Sequence, residues 1–208
     1  MWIITDNEMW QFSSLIRIAY NGYWFFTDEL TKLSNASSWL YFGCYYNRKN
    51  KHLSGIQDFQ THYFNKNEMN RDDILEAFDG HFNFLKLETN SFSIFSDRFG
   101  IKKFFYWISG DEFVISDDLK TILQTVGAKP SPENMAIYAL AYHFIGGRTL
   151  YENVYSNRPG EVIEFKEGRF SFSTYWDAGE LVRQEKRVVA VGDIAEALWQ
   201  SVEQSLQT

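Results

Sequence analysis

A single cysteine, Cys44, three prolines and no apolar run of membrane-spanning length set the first limits on this chain. One cysteine excludes an internal disulfide, a usage that suits a reducing cytoplasm. So few prolines in 208 residues, with a hydrophobic share of 45%, exclude a disordered segment and allow a real core. A transmembrane helix needs about 18 or more consecutive apolar residues, and no stretch approaches that. No basic segment followed by an apolar one opens the chain, so no signal peptide is expected. Positive charge is scarce as well. With 20 Lys and Arg against 27 Asp and Glu, the formal net charge is −7, which argues against a nucleic-acid surface. The densest basic run, Tyr45–His52, reads as a polar turn. A cytoplasmic chain with no nucleic-acid or membrane partner is the expectation.

Chemical motifs are equally sparse. The four histidines, His52, His62, His81 and His143, show no HxxxH or HExxH spacing, and one thiol cannot build a zinc site, so no metal is expected. His81 reads as a core or edge strand residue. No GxxxxGK[ST], GxGxxG or GxSxG occurs. The glycines of "FIGGRTL" follow a helix but precede none, so they read as a helix stop and turn. Cys44 sits in the aromatic run "WLYFGCYY", where a small buried thiol of raised pKa and low reactivity is the default. The acid pairs Asp72–Asp73 and Asp117–Asp118 fall in helix first turns, where the helix dipole explains them.

Aromatics are what the chain has in abundance: 19 Phe, 12 Tyr and 7 Trp. They favour strands. "SSWLYFGCYY", "HFNFLKL", "SFSIFSD", "KKFFYWIS" and "DEFVIS" read as short strands, with turns at "LETNSF" and Gly110–Asp111. "GEVIEFKEGRFSF" reads as a hairpin turning at Glu167–Gly168. Three helices are predicted: "NRDDILEAF" capped by Asn70, "SDDLKTILQTVG" capped by Ser116 and stopped by Gly127, and "SPENMAIYALAYHFIGG" with Ser131 as cap and Pro132 at its first position. Strands and helices in this order point to an α+β domain with antiparallel sheets. At the end of one strand, Asp97 and Arg98, followed by Phe99 and Gly100, can pair with each other or bridge to backbone groups and fix a turn. After "TYWD" the chain becomes polar, then "DIAEALWQSVEQSLQT" reads as a helix whose apolar stripe has no C-cap, as if interrupted within a longer protein.

Taken together, "FDGHFNFLKLE", "FSDRFGIKKFFYW", "EFVISDDLKTIL", "PENMAIYALAYHFIGGRTLYENVYSNRPGEVIEF" and "FSTYWD" resemble, in order, blocks of the N-terminal domain of the glutamine-hydrolysing asparagine synthase family. The resemblance runs over Phe78–Asp177, about half the chain. It implies the N-terminal-nucleophile (Ntn) hydrolase fold, a four-layer αββα sandwich of two antiparallel sheets. It also implies a division into residues 1–177, a glutaminase-like domain, and 178–208, a linker and the start of a helix toward an ATP-pyrophosphatase domain. In that family a cysteine exposed at position 2 hydrolyses glutamine, with the chain's own α-amine as base. Here position 2 is Trp2, which offers no nucleophile and is expected to keep Met1 in place. Thr5 and Ser13 are not N-terminal, and the family's glutamine-holding segments have no counterpart in residues 1–77. Lys103 stands where the family has proline, and Arg158 precedes a single Pro159–Gly160.

The resemblance therefore implies a fold without its glutaminase chemistry. It makes the chain the catalytically inactive front domain of an asparagine-synthase-like, ATP-dependent amide- or lactam-forming ligase, serving as scaffold and interface. No cofactor is expected in this chain; ATP and Mg belong to the C-terminal synthetase domain, the expected partner, with a homodimer also allowed. Asp97, Arg98, Gly100 and Lys102 are the candidates for a shaped turn or domain interface, and no substrate-binding residue is assigned. A different class of reading is a stand-alone module holding a small ligand or peptide in the vacated glutamine pocket. A third is an active glutaminase using Cys44 or an unusual base.

Overall fold

The computed structural model describes residues 2–6, 16–20, 23–27, 37–47, 52–53, 78–88, 90–183 and 189–206. Twelve strands among these residues form two six-stranded antiparallel sheets. The first sheet contains β1 (Trp2–Thr5), β2 (Ile16–Tyr20), β3 (Tyr23–Thr27), β8 (Phe105–Ser109), β9 (Glu112–Ser116) and β10 (Val154–Ser156). Its order is β10-β8-β9-β1-β3-β2. The second contains β4 (Ser37–Asn47), β5 (His52–Leu53), β6 (Phe78–Glu88), β7 (Ser91–Ser96), β11 (Glu161–Lys166) and β12 (Arg169–Thr174), in the order β12-β11-β7-β6-β4-β5.

The period-2 geometry of strands explains how the sheets pack. In β1, Trp2 and Ile4 enter a core shared with Phe25, Phe113 and Ile115 of the same sheet and Leu85, Phe92, Ile94 and Ile163 of the other. Ile3 points the opposite way and joins Val114, Val154 and Ile122. Ile122 belongs to α1 (Leu119–Val126), which covers the outer face of the first sheet. The chain is thus an α+β sandwich with helices flanking two antiparallel sheets, as the sequence predicts. Three more helices follow in its C-terminal part: α2 (Pro132–Ala141), α3 (Ala178–Arg183) and α4 (Val191–Leu206). The helix expected from Asn70 lies outside the described residues, apart from Phe78, which opens β6.

Local chemistry sets several boundaries. The hairpin turn Glu167–Gly168 has φ of 52° and 74°, the doubly left-handed pattern of the turns that match strand twist. α2 begins as predicted, with the Ser131 side chain accepting from the Asn134 N–H and Pro132 following, but ends at Ala141, not at Gly146–Gly147. The cap of α1 differs too. Asp118, not Ser116, accepts from the Thr121 N–H, because Ser116 is still held in β9 by pairing with Ile3 and Phe105. Asp117 and Asp118 accordingly precede the helix and do not lie in its first turn.

Candidate functional site

The sequence singles out position 2 and the turn after β7, and the structure brings both to one end of the sandwich. Trp2 is fully buried, and its ring lies 5.9 Å from that of Phe104. Its backbone N–H donates to Asp117 Oδ1 at 2.9 Å. Position 2 therefore presents an apolar indole to the inter-sheet core.

Phe104 connects this position to the turn. Its N–H donates to Asn157 Oδ1 at 3.0 Å, while Asn157 Nδ2 donates to the Lys102 carbonyl at 3.2 Å. The turn itself is organised by Asp97, whose side chain is fully buried. One carboxylate oxygen accepts from the N–H groups of Phe99 and Ile101, each at 3.0 Å, and the other accepts from Lys102 N–H at 2.9 Å. A carboxylate held by three backbone donors fixes a loop. The Asp97 carbonyl accepts from Gly100 and Gly160, joining this turn to the start of β11. Gly100 has φ +59°, and a Cβ there would lie 3.1 Å from Pro159 N.

Of the two sequence alternatives for Asp97 and Arg98, bridging to backbone is the geometry found at Asp97. Arg98 makes its ion pair elsewhere, with Asp79 at 3.6 Å. Lys102 contributes its backbone to this network.

Several members of this end were not anticipated. Glu161, fully buried, receives Arg158 Nε at 2.7 Å and Arg158 N–H at 2.9 Å. Ser96 Oγ donates to the Arg158 carbonyl and accepts from Glu161 N–H, both at 2.8 Å. Tyr175 donates to the Ser96 carbonyl at 2.5 Å. Burial, with the Asp97 charge nearby, raises the Tyr175 phenol well above its ordinary pKa. Burial followed by Glu161 does the same to Tyr106. A polar Asn-Arg-Pro-Gly-Glu run between two strands was the available signal, but its partners lie over fifty residues away in sequence.

Thr5 is buried and donates to the Phe113 carbonyl at 2.8 Å. The backbone of Cys44 pairs opposite His81, which is exposed in β6. The expected burial of the thiol lies outside what the structure describes, as do Ser13 and the acid pair Asp72–Asp73. A cleft of about 450 Å³ lies where Asp6, Asn90, Asp111 and Glu167 surround Phe113 and Phe165. Asp6 follows the C-terminal residue of β1, so this cleft is at the far end of that strand from Trp2. Among the described residues no His, Cys, Asp and Glu group is arranged to hold a metal ion, and no helix is long and apolar enough to cross a membrane.

The family model for a glutamine amidotransferase domain matches residues 49–176. No curated protein matches the sequence. Among solved structures, the chain is similar to glutamine phosphoribosylpyrophosphate amidotransferase from B. subtilis, complexed with ADP and GMP, at 11% identity and a TM-score of 0.45, covering 74% of this chain and 35% of that one. It is also similar to a structure described as the allosteric regulatory enzyme of purine biosynthesis, at 12% identity and a TM-score of 0.42, covering 69% of this chain and 30% of that one. The chain spans about a third of the length of each.

Proposed function

Because this chain belongs to the glutamine amidotransferase domain family, we propose that it is a member whose glutaminase chemistry is gone and whose sandwich serves as scaffold and interface for an asparagine-synthase-like, amide- or lactam-forming ligase domain. The observation that carries the proposal is Trp2. Family chemistry needs a nucleophile at this position beside a free α-amine, and this chain places there an indole without nucleophilic character, buried against Phe104. The Asp97-centred network supports the scaffold role. Its buried carboxylate accepts from three backbone donors of the β7–β8 crossover, and its backbone carbonyl ties that crossover to the start of β11. The asparagine-synthase parent rests on the ordered sequence blocks between Phe78 and Asp177. ATP and Mg then belong to the ligase domain.

The test is the intact mass of the native gene product together with its N-terminal peptide. The proposal expects a mass well above 24.5 kDa with Met1 retained. A product near 24.5 kDa contradicts the ligase scaffold.

A further inference from the structure

The two sheets end differently on the side where β10 and β12 form their edges. β10 is covered: Ser156 N–H donates to the Gly147 carbonyl at 2.7 Å, and Arg148 bridges Tyr155. β12 is bare. Tyr175 N–H donates to the Gly160 carbonyl, which continues the β11–β12 register and fixes its alternation. Arg169, Ser171 and Ser173 therefore bond to β11, while Phe170 and Phe172 aim their N–H and C=O groups outward. No other described strand pairs with them. Soluble proteins blunt such edges with Lys, Pro or a bulge. β12 has no Pro, and its one charge, Arg169, stands at its start. Aromatic rings fill the gap between the two edges: Tyr106 lies 5.6 Å from Tyr155 and 5.7 Å from Phe172. Yet Tyr155 is 38% and Phe172 43% exposed, on the same side as the unpaired backbone groups.

A partner that fits this edge repeats outward backbone groups at two-residue spacing, carries aromatic side chains on its inner face and places no cation beside Arg169. β12 itself meets all three conditions. We propose that two copies of this chain pair through β12, antiparallel about a two-fold axis at Ser171, joining their second sheets into one. Phe170 of each copy then stands opposite Phe172 of the other, and each such pair exchanges both backbone hydrogen bonds. Arg169 faces Ser173 of the other copy, so no like charges stand opposite. The half-exposed rings of Tyr155 and Phe172 are drawn into the seam. An edge that meets its own copy in this way closes the dimer and leaves β12 no bare side. The pairing stands independently of the ligase assignment.

Sedimentation equilibrium on the chain 1–208 tests this. The expected species has twice the 24.5 kDa mass. Phe172→Pro deletes an outward N–H while leaving the bonds to β11 in place, and weakens association about tenfold or more. Phe172→Ala loses the same ring but keeps that N–H, so it dimerises more tightly than Phe172→Pro. Ser171→Glu sets two carboxylates face to face across the axis and weakens association about two- to fivefold. Ser171 is exposed, so this variant keeps the wild-type melting temperature. Mixed with Ser171→Lys, it forms a heterodimer tighter than either variant's own dimer. A wild-type chain that stays monomeric up to its solubility limit overturns the proposal. So does a dimer indifferent to both Phe172→Pro and Ser171→Glu, which would place the contact on another surface.

Discussion

Trp2 is a keystone of the inter-sheet core. Trp2→Ala leaves a cavity that strands on both sides cannot close, so urea denaturation is expected to show a loss of about 3–5 kcal/mol. Asp97 is polar yet equally structural. Asp97→Asn replaces an acceptor oxygen by a donor facing backbone N–H groups, and leaving one of them unsatisfied costs about 1–3 kcal/mol. The Asp79 pair of Arg98 spans 3.6 Å with Asp79 half exposed, so Asp79→Ala costs at most about 1 kcal/mol. The same denaturation series separates the two carboxylates. Tyr106 and Tyr175 add an alkaline limit. Both phenols are raised above the ordinary value of 10.0 in the fold, so the unfolded chain ionises first. Their contribution is complete below pH 10 and is lost as pH climbs beyond it toward the raised folded values. Tyr106→Phe is expected to flatten that alkaline decline in melting temperature.

The connections between elements show where backbone conformation is most constrained. Gly160 has φ +59°, and a Cβ on it would sit 2.5 Å from the Trp176 carbonyl oxygen. Gly160→Ala is therefore expected to cost more than the ~1–2 kcal/mol of a left-handed residue alone, seen as a lower urea midpoint. Asp118→Ala removes the α1 cap and is expected to cost about 1 kcal/mol. The elements differ in how openly the sequence shows them. β6, β7, β9, β11 and the Glu167–Gly168 turn were legible because apolar runs alternate with clear turn residues. β1 was not, because "WIIT" is buried on both faces and so shows no alternation. β10 is three residues long, too short for a period. The cap of α1 was misplaced because Ser116, Asp117 and Asp118 are all cap-forming residues, and only cross-strand pairing assigns Ser116 to β9. At the site, the Asp97 turn is local and readable, whereas Asn157 meets Phe104 across 53 residues and Glu161 meets Ser96 across 65, beyond any local pattern.

At the scale of the whole molecule, the family fold and the proposed loss of glutaminase chemistry are compatible because different residues carry them. The sandwich is held by alternating apolar faces that Trp2 strengthens, while glutaminase chemistry depends on a thiol and α-amine at that one position. Loss of the second therefore need not weaken the first. The most direct test is ammonium release from glutamine labelled with ¹⁵N at its amide, followed by NMR with the chain in excess. The account predicts no ammonium above the buffer blank. Release that grows with protein concentration and disappears in Cys44→Ala would contradict it, and would make this chain a glutaminase working from a cysteine inside β4.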